Sequence, residues 1–387
     1  MLPASTTPWK NCMPKLLYLI SEDWFFCSHF MARALAAKEA GFDVVVLTRV
    51  GTHAHTIREH GIRVVPWPHD RKSLNPLHEL KSIANVVRIY RQERPDIVHH
   101  IAIKPILHGT IAALLANIRH IVNAPVGMGY IFSSSDRRAR LLRGPVSLAL
   151  RLLLNPRRSQ VIFENPDDLR HLTTNGTVRV QAARLIRGAG IDLSVFAATP
   201  EPDQVPEVVL PARMLWDKGV GDFVTAAQHL KAQGIQARFL LAGASDSSSF
   251  AAIPEDTLQT WAQSGAVEYL GFCSNMPALL AHSAIVCLPS TYREGLPKVL
   301  LEALATGRPI VTTDVEGCRE TVLPDVNGLL VPPRNPGRLA EALQKLLNNR
   351  PLRLAMGKAG RALAETEFSQ EKINAETLKV YADFQDH

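Results

Sequence analysis

Short, almost uninterrupted apolar runs alternate along this chain with stretches of helical period, and this alternation constrains the fold more than any other feature. The first series is LLYLI at 16–20, FDVVVLT at 42–48, IRVVPW at 62–67 and DIVHHI at 96–101, with helices expected near 30–40 and 76–93. A strand that is apolar at consecutive positions must be buried on both faces, the condition of a parallel sheet covered by helices on each side. A second series follows: EVVLPAR at 207–213, ARFLLAG at 237–243, VEYLGF at 267–272, AIVCLPS at 284–290, PIVTT at 309–313 and GLLVPP at 328–333, with a helix near 220–232. Between the two series, FAATPEPDQVPEVV at 196–209 has the proline-rich, acidic composition of a linker. The expectation is an α/β protein of two doubly wound domains, residues 1–200 and 201–370, followed by an amphipathic helix near 371–384. A length of 387 residues suits two such domains.

Several function classes drop out early. No apolar stretch reaches the roughly 18 to 20 residues of a membrane span. The apolar segment at 16–20 is followed at once by Glu22 and Asp23, so export is not expected. Five cysteines without CxxC or metal-ligand spacing read as reduced thiols of a cytoplasmic protein. GMGYIF at 127–132 and GAGIDL at 188–193 both lack the third glycine of a dinucleotide fingerprint, which disfavours an oxidoreductase. The formal charge is +12 over residues 1–200 (26 Lys and Arg against 14 Asp and Glu) and −5 over 201–387 (17 against 22). The first half therefore meets something anionic. Its basic residues are not interleaved with aromatics and no nucleic-acid signature is present, so lipid or a diphosphate-bearing substrate fits better than nucleic acid.

In open α/β sheets ligands sit at the carboxyl ends of strands, where loops lead into helices. One such place is EGLPKVLLE at 294–302. Pro297 suits the first turn of a helix, and Gly307 and Pro309 its end. Glu302 lies in a run that is otherwise apolar on every side, and a buried carboxylate needs partners. Either Lys298 pairs with it at i,i+4, or it accepts hydrogen bonds from vicinal hydroxyls. Backbone N–H groups near Gly295 and Leu296 favour an anion such as a diphosphate. Glu294 beside that anion is then placed for a sugar hydroxyl, or serves as a helix cap.

EGLPKVLLE, with PARMLWDKGVGDFVTAA at 211–227 and LLAGASD at 240–246, closely resembles the retaining glycosyltransferases of family 4. SEDWFFCSHF at 21–30, IKPILHGT at 103–110, VIFENPDDL at 161–169 and TTDVEGCRE at 312–320 resemble its bacterial surface-polysaccharide subgroup. The resemblance implies the GT-B architecture, two Rossmann-like domains facing across a cleft, with the C-terminal helix at 371–387 crossing back to the first domain. It implies that Arg213 and Lys218 grip the donor diphosphate, Glu294 binds the donor sugar and Glu302 the ribose. Gly295, Leu296 and Gly129 join the donor site through their backbone. No Asp-x-Asp occurs, so a metal-independent transfer without a cofactor is expected, from a UDP-hexose such as an N-acetylhexosamine to a polyprenyl-diphosphate-linked saccharide of O-antigen, capsule or lipopolysaccharide. For the acceptor side the candidates are Glu22, Asp23, His29, His100 and Lys104, with His99 and His108 nearby. A sugar-nucleotide epimerase or hydrolase, or a non-catalytic membrane-bound subunit, could share the scaffold.

DRRARLLRGPVSLALRLLLNPRRS at 136–159 combines Arg137, Arg138, Arg140, Arg143, Arg151, Arg157 and Arg158 with many leucines. Interfacial amphipathic helices carry both features. The expectation is a peripheral protein on the inner face of the cytoplasmic membrane.

Overall fold

The computed structural model describes residues 13–69, 75–126, 137–246, 249 and 251–384, and for 137–142 the backbone only. Gly129 lies outside the described residues, as do the side chains of Arg137, Arg138 and Arg140.

The chain forms two compact units, one up to Ala189 together with the segment from Glu371, the other Gly190–Gln370. In the first, β1 (Lys15–Glu22), β2 (Asp43–Arg49), β3 (Arg63–Pro66), β4 (Ile97–Ile101), β5 (His120–Ala124), β6 (Ser159–Phe163) and β7 (Ala183–Leu185) make a parallel sheet of order β3-β2-β1-β4-β5-β6-β7. In the second, β8 (Glu207–Pro211), β9 (Arg238–Ala242), β10 (Glu268–Gly271), β11 (Ile285–Leu288), β12 (Ile310–Thr313) and β13 (Gly328–Val331) run parallel in the order β10-β9-β8-β11-β12-β13. Both are doubly wound α/β sheets.

Burial on both faces accounts for the apolar runs. Leu16, Tyr18 and Ile20 enter the core on one face of the first sheet, and Leu17 and Leu19 enter the core on the other. Val208 and Leu210 alternate in the same way with Val209 in the second unit. Each such aliphatic side chain contributes about 1.5–3 kcal/mol of transfer free energy. The helix expected near 30–40 is Met31–Glu39, and a further short helix, Asp23–His29, precedes it.

The proline-rich stretch before β8 is no free linker. Buried Arg308 donates to the Thr199 carbonyl at 2.8 Å, and buried Arg353 donates to Glu201 Oε2 at 3.0 Å. Ile191 exchanges backbone hydrogen bonds with Phe368 and Gln370. These contacts move the boundary from residue 200 to Ala189. The C-terminal helix, Gln370–Ala382, brings Ile373, Val380 and Tyr381 into the core of the first unit. There the Tyr381 hydroxyl lies 2.9 Å from that of Tyr18 and 2.8 Å from His99 Nδ1.

Candidate active site

The second sheet reverses its strand order between β8 and β11, the place where ligands settle in doubly wound folds. The loop after β8 passes through the short turn Trp216–Lys218 to Gly219, whose φ of +72° is left-handed. A Cβ at Gly219 would lie 1.9 Å from the Pro289 carbonyl oxygen, so the loops after β8 and β11 touch through bare backbone. Thr291 N–H donates to the Asp217 carbonyl at 2.8 Å and locks the contact. Lys218 is thereby placed against the β11 loop, with Nζ 2.5 Å from Glu294 Oε1, and the Ser290 hydroxyl donates to the same oxygen at 2.8 Å. The ammonium also lies 5.3 Å from the centre of the Tyr292 ring.

A third loop closes the arrangement. Glu294 N–H donates to the Glu316 carbonyl at 3.0 Å, and a Cβ on Gly317, at φ +81°, would fall 2.3 Å from the Gly295 carbonyl. Burial alone would favour a neutral Lys218 amine, but the Glu294 carboxylate and then Tyr292 hold its ammonium above the ordinary lysine range. Burial raises the Tyr292 phenol against the pull of Lys218. Nearby, burial and then the Glu294 charge push the Cys318 thiol up to about 12.

Arg213 stands on the same β8 loop, but its Nη1 pairs with Asp246 at 2.6 Å. The two cations foreseen as a pair are thus held by different carboxylates. Glu302 sits in the helix Lys298–Ala305 with its side chain 12% exposed and 3.7 Å from Lys298 Nζ. This is the intrahelical pairing open in the sequence. Burial raises the Glu302 carboxyl above the usual range, and Lys298 offsets only part of the shift. Pro297 is the N-cap rather than a first-turn residue, which leaves Gly295 and Leu296 in the loop ahead of the helix.

The first sheet reverses between β1 and β4. Glu22 ends β1 and receives Arg49 at 2.7 Å. Asp23 accepts from the backbone N–H groups of Gly51, His53 and Trp24 at 2.7, 3.1 and 2.8 Å, so it pins the β2 loop. His100 is fully buried, with Nδ1 on Asn123 Oδ1 at 2.8 Å and Nε2 on the Tyr90 hydroxyl at 3.0 Å. The polar groups of Asp23 and His100 are thus engaged by the protein itself, His100 wholly within the core. A central parallel strand buries both faces, and β4 turns His99 to one core and His100 to the other. His29 packs its ring 4.2 Å from that of Phe25. Lys104 holds Glu79 at 2.8 Å, and Glu79 also binds His108 Nε2 at 2.7 Å.

His69, just beyond β3, escaped the sequence reading because it lies outside any motif. Its ring stacks on Trp67 at 3.9 Å, Nδ1 lies 3.1 Å from the Trp67 carbonyl, and Nε2 is shielded from solvent without a hydrogen-bond partner among the described residues. An Nδ1–H donated to that carbonyl leaves Nε2 as the acceptor nitrogen of the ring.

Two family models match the two units. Residues 15–165 match the glycosyl transferase 4-like family and residues 194–363 match glycosyl transferases group 1. The chain is 29% identical over 359 residues to the N,N'-diacetylbacillosaminyl-diphospho-undecaprenol alpha-1,3-N-acetylgalactosaminyltransferase of Campylobacter jejuni, covering 89% of this chain and 92% of that protein. It is 23% identical to the capsular polysaccharide biosynthesis glycosyltransferase CapM of Staphylococcus aureus, over 90% and 91% of the two chains. Anabaena HepE, solved in complex with UDP, has the same fold with a TM-score of 0.75 at 19% identity, over 95% of this chain and 100% of that one. With both units matched, the chain belongs to the group 1, family 4-like glycosyltransferases and its two Rossmann-like domains are of the GT-B type.

Proposed function

We propose that this glycosyltransferase moves a hexose, of the N-acetylhexosamine kind, from a UDP-sugar to a polyprenyl-diphosphate-linked saccharide in cell-surface polysaccharide synthesis, with retention and without a metal. The observation that carries the reading is the contact of Lys218, Glu294 and Ser290 at the strand-order reversal of the second sheet. A donor diphosphate approaching this loop exchanges the Glu294 contact for its own oxygens on Lys218, with Arg213 on the same loop as second cation. Glu294, released from the ammonium, accepts from the hexose hydroxyls, and Glu302 accepts from the ribose.

The leaving group is a nucleoside diphosphate, and fixed cations stabilise the charge that develops on it. Transfer then proceeds by front-face attack, the departing phosphate oxygen taking the acceptor's proton. The Campylobacter relative's name supports the lipid-linked acceptor and the acetamido sugar, and the HepE complex supports UDP. No helix among the described residues is long and apolar enough to cross a membrane. The reading places the protein peripherally on the inner face of the cytoplasmic membrane, held by the basic segment that includes Arg143, Arg151, Arg157 and Arg158.

Incubation of the purified protein with a panel of nucleotide sugars and a bacterial membrane lipid extract tests this. Transfer of label from a UDP-sugar into the lipid phase is expected. Absence of both transfer and UDP release would overturn it, whereas UDP release without an acceptor would favour a hydrolase. Glu302→Ala should weaken UDP binding about 10- to 100-fold, as for loss of one or two charged hydrogen bonds, and an unchanged calorimetric affinity would contradict the ribose role.

A further inference from the structure

On the donor reading proposed above, a diphosphate takes the place of Glu294 on Lys218. Each partner of the ion pair then loses the contact that fixes it, and a long side chain that regains its rotamer freedom binds a ligand less well. Neither partner is left without support here, because each has a second contact that does not involve the other.

The carboxylate is held by Ser290, whose hydroxyl donates to Glu294 Oε1 at 2.8 Å, the same oxygen that meets the ammonium. Ser290 is fully buried, and its own carbonyl accepts from the Thr313 hydroxyl at 2.5 Å. The Leu288 carbonyl accepts from the Thr312 hydroxyl at 2.6 Å, and the Pro289 carbonyl rests against Gly219. The start of the β11 loop is thus anchored to β12 on one side and to the β8 loop on the other before any ligand arrives. The Ser290 hydroxyl also lies 3.2 Å from the Asp217 carbonyl. Its single proton serves one acceptor at a time, and the ionised carboxylate is the stronger.

The ammonium is held by Tyr292, whose ring centre lies 5.3 Å from Nζ, within cation–π range. Backbone contacts on either side fix the place of the ring. Thr291 N–H donates to the Asp217 carbonyl at 2.8 Å before it, and Glu294 N–H donates to the Glu316 carbonyl at 3.0 Å after it. Burial raises the Tyr292 phenol while the charges of Lys218 and Arg213 pull it back, so the ring lies beside both cations of the β8 loop. An aromatic face attracts an ammonium without consuming its N–H donors, which leaves those donors for phosphate oxygens.

We propose that Ser290 and Tyr292 are the positioning residues of the donor site, Ser290 keeping Glu294 aimed at the hexose and Tyr292 keeping Lys218 aimed at the diphosphate once the donor has parted the ion pair. Both act through another side chain and not on the reacting atoms. Both roles rest on the donor reading, and they divide the donor between them: Ser290 serves the sugar half and Tyr292 the diphosphate half.

Calorimetry with UDP, UDP-N-acetylglucosamine and UDP-N-acetylgalactosamine tests the division. Tyr292→Leu should weaken UDP and the UDP-sugars alike, about five- to thirtyfold, the worth of a desolvated cation–π contact. Tyr292→Phe, which keeps the ring, should bind nearly as wild type. In a Lys218→Ala background Tyr292→Leu should cost nothing more. Ser290→Ala should leave UDP affinity nearly unchanged and weaken the better-bound of the two UDP-sugars about tenfold, as for one hydrogen bond to a charged group. Equal loss on Tyr292→Leu with and without Lys218 would mean that the ring meets the donor directly, and would overturn its role. Equal loss of UDP and UDP-sugar on Ser290→Ala would make the hydroxyl a support of the loops through Asp217, and would overturn the aiming of Glu294. If Lys218→Ala loses UDP while Tyr292→Leu and Ser290→Ala bind all three ligands as wild type does, both roles fail and the donor reading stands. A wild type that binds UDP no better than Lys218→Ala would defeat the donor reading, and both roles with it.

Discussion

Removing the Lys218 ammonium leaves the Glu294 carboxylate, about nine-tenths buried, bonded to the Ser290 hydroxyl but without its cation. An uncompensated buried charge costs about 3–5 kcal/mol. Lys218→Ala should therefore lower the urea midpoint as well as activity, and the loss of one preorganised charge on the leaving group should cut kcat about 10²- to 10³-fold. Unfolding curves and labelled transfer measure the two effects separately. His69, which feels the charges of the acceptor candidates Glu22 and Lys104, gives a prediction on the proposed acceptor side. His69→Gln changes the side chain that offers the Nε2 lone pair, and should raise the acceptor KM about tenfold, the worth of one hydrogen bond near 1.4 kcal/mol, with UDP affinity unchanged. A parallel loss of UDP affinity would assign His69 to packing instead.

At the scale of elements, the donor loops depend on two glycines that let backbone meet backbone. Gly219→Ala places a methyl group on the Pro289 carbonyl in a left-handed conformation. The backbone preference alone costs about 1–2 kcal/mol, and the collision must also push the β8 and β11 loops apart. The expected outcome is at least a tenfold loss of UDP affinity by calorimetry, with circular dichroism unchanged. The strands of the second sheet were legible because their apolar runs are continuous, whereas β5, β6 and β7, with HIVNA, SQVIF and ARL, are short or broken by polar residues and were not foreseen. Glu294 and Lys218 were named from a motif, but their contact spans 76 positions and exists only through the folds at Gly219 and Gly317. Ser290 and Tyr292 lie in the β11 loop with Glu294, and Asp246 in the loop after β9, yet nothing local marks a residue whose role is to hold another. Histidines at the end of a strand suggested a site, and only the layer structure of the sheet shows that both rings of β4 belong to the cores.

For the whole molecule, those buried histidines make the first unit the acid-sensitive one. Burial pushes His100 down to about 4, and burial with the charges of Arg33 and His100 holds His99 well below the usual range. Both rings are neutral in the folded protein, so the unfolded chain takes up the extra protons. Their contribution is complete above about pH 6.5 and is lost as pH falls toward 4, roughly 3 kcal/mol for His100 alone. Urea unfolding followed by hydrogen exchange at pH 7 and pH 5 should show the first unit weakening more than the second. A His100→Gln variant should flatten that pH dependence. The return of the chain has a further consequence for how the protein is made. Ile373, Val380 and Tyr381 complete the core of the first unit, yet they are translated after the whole of the second. A chain still tethered to the ribosome can finish its second domain while its first remains open, so the domain synthesised earlier is the one that matures last.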